Sequence, residues 1–248
     1  MIKKICLLVI GVIIAYLVFQ FILADNTPSA VVITPLQDVT GEVNHVPLAI
    51  CEEGLRYLWQ FFSPPGTEVA FSEAGPFPDA LVIAASLVPG EGGGTLLRVT
   101  AGIRGRERLL AESAIDLTSL QTVLVSSRDA LSRVRQAAVE AGWLTPPGQG
   151  PSGGEGEGLE ISPAETVELA ELLDGIDRLS ARLRSHPYNP SAWFTAARYL
   201  EQLRLSSRNS STFWRGLDSR AAALWAIGAG LDPSSAEAGL GLAALLYR

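Results

Sequence analysis

Lysine is nearly missing: Lys3 and Lys4 stand alone, and the other cations are arginines. Against 19 Lys and Arg there are 26 Asp and Glu, a formal net charge of −7 at pH 7. Binding DNA or RNA needs clustered cations that displace counterions from phosphates, so nucleic acid is excluded as a partner. Histidine and cysteine number two each. His45 and His186 are 141 positions apart, each beside a helix end, and no Cys/His spacing matches a metal site. Cys6 lies inside an apolar run and Cys51 far outside it, so no disulfide joins them. Cys51 falls in a helical pattern and reads as a small buried hydrophobe. Catalytic motifs are missing too. GPSGG at residues 150–154 fits G-x-S-x-G, but that chemistry needs the serine on a strained turn between a buried strand and a helix. Here it sits in a Pro/Gly-rich stretch. PGEGGGT, at residues 89–95, lacks the Gly-Lys-Ser/Thr ending that cradles phosphates and reads as a hairpin loop. Glu52, Glu53, Glu165, Glu168 and Glu171 sit on helical patterns with no cleft marked around them. Arg104, Arg106 and Arg108 read as solvated turn residues. No catalytic residue, metal or cofactor is therefore expected. A hydrolase would need three polar residues converging in a cleft.

What the chain does have is apolar: 48% of it is hydrophobic. Ile5 to Ala24 is a run of 20 residues with one polar side chain, Gln20. As a helix it would span about 30 Å, the thickness of a bilayer core. Lys3 and Lys4 precede it and Asp25 follows, which by the positive-inside tendency puts the N-terminus in the cytoplasm and the bulk in the periplasm. The expectation is a single-pass inner-membrane anchor over residues 1–24. The alternative is a cleaved signal peptide, whose apolar region is shorter and ends on small residues.

Residues 31–36 (VVITPL) are β-branched and apolar and read as a strand. Residues 47–62 place Ile50, Leu55, Leu58, Trp59 and Phe62 on one helical face, and Pro64-Pro65-Gly66 ends the run. Residues 68–71, 80–88, 95–104 and 109–116 read as strands, the last three as an antiparallel meander. Residues 117–141 then turn helical. A strand followed by such a helix pairs in parallel with a later strand. The fold class expected for residues 28–143 is a mixed-sheet α/β or α+β domain with two helices on it. Residues 144–159 are a Pro/Gly-rich linker. Residues 160–248 are an all-α region of four helices: 163–185, a second to about 205, 213–231 and 236–248.

Two resemblances follow from these stretches. VVITPLQDVTGE, the EEGLRYLWQFF helix, GTEVAF and the meander ending in LLAESAID resemble the TolB N-terminal-like family of envelope domains. The order of strand, helix, hairpin, strand and helix carries the likeness. HPYNPSAWFTAARYL and LDPSSAEAGLGLAALLYR resemble tetratricopeptide repeats, with Pro187 and Pro233 at the turns and Ala221, Trp225 and Gly228 at the small, bulky and small slots. The two prolines lie 46 residues apart, where the family repeat is 34. The repeat resemblance implies an inward-facing groove with Phe194, Arg198, Glu201, Leu240 and Tyr247 as partner-binding candidates.

The last helix carries only Glu237 and Arg248 as charges, and Leu240, Leu242, Leu245, Leu246 and Tyr247 are too many for one buried face. Repeat arrays normally end on a polar cap. Either this surface folds onto the sheet domain, or it meets other envelope proteins or a second copy. The expected function is thus a non-catalytic, membrane-anchored periplasmic scaffold. A small-molecule or stress-sensing module is the alternative, which a deep apolar pocket between sheet and helices would favour.

Overall fold

The computed structural model describes residues 28–41, 45–72, 79–91, 93–103, 106–148, 169–206 and 212–246. β1 (Ala30–Ile33) runs in the middle of the sheet. It stops before Pro35, which has no N–H for a ladder. The chain resumes as β2 (Gln37–Asp38), too short to show any period in the sequence. Both run parallel to β4 (Leu81–Pro89): Val31 pairs with Leu81 and Gln37 with Ser86, so the offset drops from 50 to 49 across the proline. α1 (His45–Phe62) then crosses to β3 (Glu68–Phe71), which pairs in parallel with β1. β4, β5 (Thr95–Ile103) and β6 (Arg106–Ile115) form an antiparallel meander. The sheet is mixed, in the order β3-β1-β4-β5-β6, with β2 beside β4.

Alternation decides which face is covered. Leu81, Ile83, Ala85 and Leu87 of β4 are buried, and the residues between them are half-buried. The inner face receives α1 and α2 (Leu120–Glu140). Ser119 caps α2: its hydroxyl accepts from Thr122 N at 3.1 Å, and Thr122 Oγ1 accepts from Ser119 N at 3.0 Å.

Four helices follow: α3 (Leu169–Ser185), α4 (Pro190–Ser206), α5 (Thr212–Leu231) and α6 (Ala236–Leu246). α5 differs from the others in having no polar face over its second half: residues 221–229 are all buried. A helix that is apolar all round needs neighbours all round. It packs on α1 and α2 on one side and on α4 and α6 on the other. The interior is accordingly continuous, from Val31 and Ile33 in the sheet through Trp59 and Phe62 to Trp225 and Ile227. The helices after the linker fold back onto the sheet domain's own helix pair.

An aromatic cluster seals this seam. Phe62 stacks on Trp193 with centroids 5.6 Å apart, Phe61 meets Trp193 edge-on at 5.5 Å, and Phe62 meets Tyr188 edge-on at 5.0 Å. Trp193 Nε1 donates to Pro187 O at 2.7 Å, so the buried indole keeps its hydrogen bond. The start of the expected linker belongs to the same seam. Leu144 is buried, Thr145 N donates to Phe62 O at 2.8 Å, and Tyr188 Oη donates to Thr145 O at 2.5 Å.

The expected transmembrane helix is corrected in the fold class. No helix among the described residues is long and apolar enough to cross a membrane. The longest two are interrupted by charge: α2 holds Arg128, Asp129, Arg133 and Arg135, and α5 holds Asp218 and Arg220. Ile5 to Ala24 lies outside the described residues. The described fold is a mixed sheet with helices.

One core spanning both regions predicts one transition. Trp193→Ala is expected to lower stability by about 3–5 kcal/mol. Urea curves followed by tryptophan fluorescence and by far-ultraviolet circular dichroism should coincide in the parent and in the variant. Two separated transitions would show the helices to be an independent unit.

Candidate functional site

The structure disperses the five groove candidates. Phe194 is 2% exposed and stacks on Trp225 with centroids 5.1 Å apart. It also fills the space beside Gly228, where any Cβ would overlap its ring. Glu201 is 9% exposed and accepts from Trp225 Nε1 at 2.8 Å. These two belong to the α4–α5 interior and do not line an open groove. Bulk and charge at the right helical spacing are shared by groove and core, so the sequence pattern could not separate them.

Arg198 and Leu240 remain at the surface. Arg198 pairs with Glu237 at 2.8 Å and joins α4 to α6. Leu240 is 72% exposed, the most exposed of the large hydrophobic side chains described. One residue on, Gly241 is buried, because the Trp225 ring fills the space where a Cβ would stand. α6 is therefore held by its glycine side and shows Leu240 outward, with Ala236, Gly239 and Ala244 also exposed. Tyr247 lies outside the described residues.

Several of the charged groups have structural partners. Glu52 and Glu53 both pair with Arg56, and Glu53 also lies 3.6 Å from Arg220. Arg56 rests over the Phe71 ring at 5.0 Å. Arg108 covers Trp143 at 4.5 Å, which gives this arginine of the expected basic turn a packing role. His186 Nδ1 lies 2.9 Å from Ser185 Oγ at the end of α3. Thr118, through its hydroxyl and its backbone N–H, holds the Asp116 carboxyl below its ordinary range. Among the described residues, no three His, Cys, Asp or Glu gather where a metal could sit. GPSGG, Arg104, Glu165 and Glu168 lie outside the described residues.

Two buried groups mark the helix contacts. Cys51 on α1 faces Ser127 on α2, with Sγ and Oγ 3.6 Å apart. Burial pushes its thiol up to about 11, with the Ser127 hydrogen bond opposing. Arg135 of α2 lies over the Phe62 and Tyr188 rings, about 6 Å from each, and donates to Gly230 O at 3.3 Å. Burial lowers its guanidinium from the ordinary arginine value.

Three hollows adjoin these elements. An apolar slot of 60 Å³ lies between Tyr57 and Phe61 of α1 and Leu179, Ala196 and Leu224 of the later helices. Burial raises the Tyr57 phenol well above its usual range there. An open cleft of 1030 Å³ runs from the Gly-rich β4–β5 turn past Arg98 and Glu112 to Thr118. A third, of 350 Å³, lies where α1 and α3 end, lined by Ser63, Thr67, Thr145 and Arg184. The sequence offered Pro64-Pro65-Gly66 only as a helix stop, and nothing in it placed Arg184 nearby. Leu55, Leu58, Trp59 and Phe62 of α1 are buried in one core with Val31, Ile33 and Leu81 of the sheet.

Two measurements check these environments. Glu201→Leu is expected to strand the Trp225 N–H and lower stability by about 1–3 kcal/mol, while Glu201→Gln retains an acceptor and costs less. Equal losses in urea melts would remove the hydrogen bond from the account. For Cys51, the folded pKa lies above the ordinary 9.0. The stability it contributes is therefore complete below pH 9 and fades as pH rises toward 11. In a Cys6→Ser background, iodoacetamide at pH 8 should modify Cys51 only as fast as the protein opens, so fast labelling of folded protein contradicts this burial.

No protein-family model, curated protein or solved structure matches the chain, so the TolB-like and tetratricopeptide likenesses stand on the quoted residues and their order.

Proposed function

We propose that this chain is a non-catalytic interaction protein, a scaffold that docks another protein of the cell envelope or a second copy of itself through its last helices. The envelope setting comes from the TolB-like likeness. The observation that supports docking is the exposure of Leu240, at 72%, on a helix held in place from its other side. A leucine left so exposed at a fixed position costs solvation without adding to the core. The docking face is smaller than the repeat likeness implies. It consists of the outer side of α6, with Leu240 as its apolar centre and the Arg198–Glu237 pair at its rim.

The two occupants are separable in one design. Full-length protein carrying a photo-crosslinking phenylalanine analogue at position 240 is irradiated in cells, beside a control with the analogue at exposed Asp177. A position-240 adduct of fixed mass, missing from the control, is the expected result. Twice the chain's mass identifies a second copy, and any other fixed mass identifies a different partner. Leu240→Arg should then abolish co-purification of that species while leaving the unfolding midpoint within about 0.5 kcal/mol of the parent, as for a surface change. No specific adduct at 240, together with an unchanged sizing profile for Leu240→Arg, would overturn the proposal.

A further inference from the structure

The third hollow differs from the rest of this acidic protein in its chemistry. It has a volume of 350 Å³, within the range of small-molecule sites. Its wall comes from four separate stretches: the end of α1 with Gln60, Phe61 and Ser63, the Pro64–Thr67 turn, Thr145 after α2, and Arg184 and Pro187 around the end of α3. Acids outnumber bases 26 to 19 in the chain, yet among the described residues no Asp or Glu lines this space. The charge it does contain is the Arg184 guanidinium. Arg184 has no hydrogen-bond or ion-pair partner among the described residues, whereas Arg56, Arg98, Arg128, Arg178, Arg198, Arg204 and Arg220 all pair with carboxylates. Ser63 Oγ, in the same wall, is shielded from solvent and has no hydrogen-bond partner among the described residues.

We propose that this hollow is a binding site for a small anion, a carboxylate or phosphate group carried on a molecule of metabolite size. Arg184 supplies the charge and a planar fork of donors that fits either oxyanion. Gln60, Thr67 and Thr145 supply uncharged hydrogen-bonding groups around it. The helix ends matter for the sign. α1 and α3 both finish here, and a helix C-terminus carries about half a negative charge. That field is countered locally: Thr145 N takes the Phe62 carbonyl at 2.8 Å, and Arg182 adds a second cation in the last turn of α3. Arg184 is exposed and has no carboxylate partner among the described residues, which leaves its charge open to a ligand.

The site also sits against the seam. Pro187 forms part of its wall, and Pro187 O accepts the Trp193 indole hydrogen bond. Thr145 is fixed between Phe62 and Tyr188 by its own N–H and carbonyl. A bound anion therefore touches segments from both sides of the seam and favours their docked arrangement. Trp193, directly behind the wall, reports on it by fluorescence.

The test is a titration of the full-length chain at low ionic strength with inorganic phosphate, with succinate and with neutral glycerol, followed by tryptophan fluorescence and by calorimetry. Saturable binding of phosphate, succinate or both, with glycerol silent, is expected, and whichever anion binds identifies the class. Arg184→Gln should weaken that binding by about tenfold or more, as loss of a charge-assisted pair does. Arg184→Lys should restore part of it. Circular dichroism melts of both variants should match the parent without anion, because Arg184 makes no ion pair among the described residues. Absence of saturable binding by either anion, an equal response to glycerol, or binding unchanged in Arg184→Gln would each overturn the assignment.

Discussion

Everything in this molecule is arranged around a helix that cannot face water. α5 is buried without a break over residues 221–229, so it must be enclosed on every side. A two-layer arrangement of sheet and helix pair covers only the inner faces of α1 and α2. α5 lies on their outer faces, and α4 and α6 then cover α5. This explains why α1 buries more than its single predicted stripe. Leu55, Leu58 and Trp59 serve one side, and Phe61, also buried, meets Trp193 of α4 on the other. Packing at this density leaves helix axes close together, and glycines supply the room. Gly54 receives Leu131 between α1 and α2, Gly228 receives Phe194 between α5 and α4, and Gly241 receives Trp225 between α6 and α5.

Closing the seam places polar groups of large side chains inside it, and most find partners. Trp193 Nε1 takes Pro187 O, Trp225 Nε1 takes Glu201, and Tyr188 Oη takes Thr145 O. Arg135 bears a desolvated charge with two aromatic faces and the Gly230 carbonyl at the end of α5, where a cation is favoured by the helix dipole. Each of these contacts joins residues on one side of the linker to one another or to residues on the other side. The linker therefore connects parts of one interior, and its length need not set the distance between independent bodies.

The sheet and its first helix were legible because their signals are local. Alternation in residues 81–88 and the Ile50, Leu55, Leu58, Trp59 and Phe62 face are each set by period and confirmed as buried positions. β2 escaped because two residues carry no period, and its pairing depends on β4 continuing past Pro35. The fold-back was one of two alternatives left open for the last helix, and the sequence could not choose between them. A helical face reports only that it is buried and not against what. Phe194 and Glu201 show the same ambiguity at single residues: groove and core ask for the same side chains. The Arg184 hollow was least legible, because its walls come from four stretches separated by more than 120 positions, from Gln60 to Pro187, and no local motif records that meeting.

The sheet's own geometry fits the proposal that docking goes through a helix. An open sheet offers two edges to an incoming strand. The β3 edge is four residues long, and Arg56 lies across Phe71 at its end. The β6 edge is ten residues long but carries Arg106, Glu107, Arg108 and Glu112. It is also broken by a bulge: Val99 pairs with Ala111 and Thr100 with Leu109, so Leu110 is an extra residue. A strand adding to β6 would have to match that bulge or lose register, since a one-residue slip exchanges the faces of the sheet. Neither edge offers a long, flat, uncharged ladder. Leu240 stands on the opposite side of this constraint, on a helix whose backbone hydrogen bonds are satisfied internally, so the docking proposed for α6 is one of side chain against side chain.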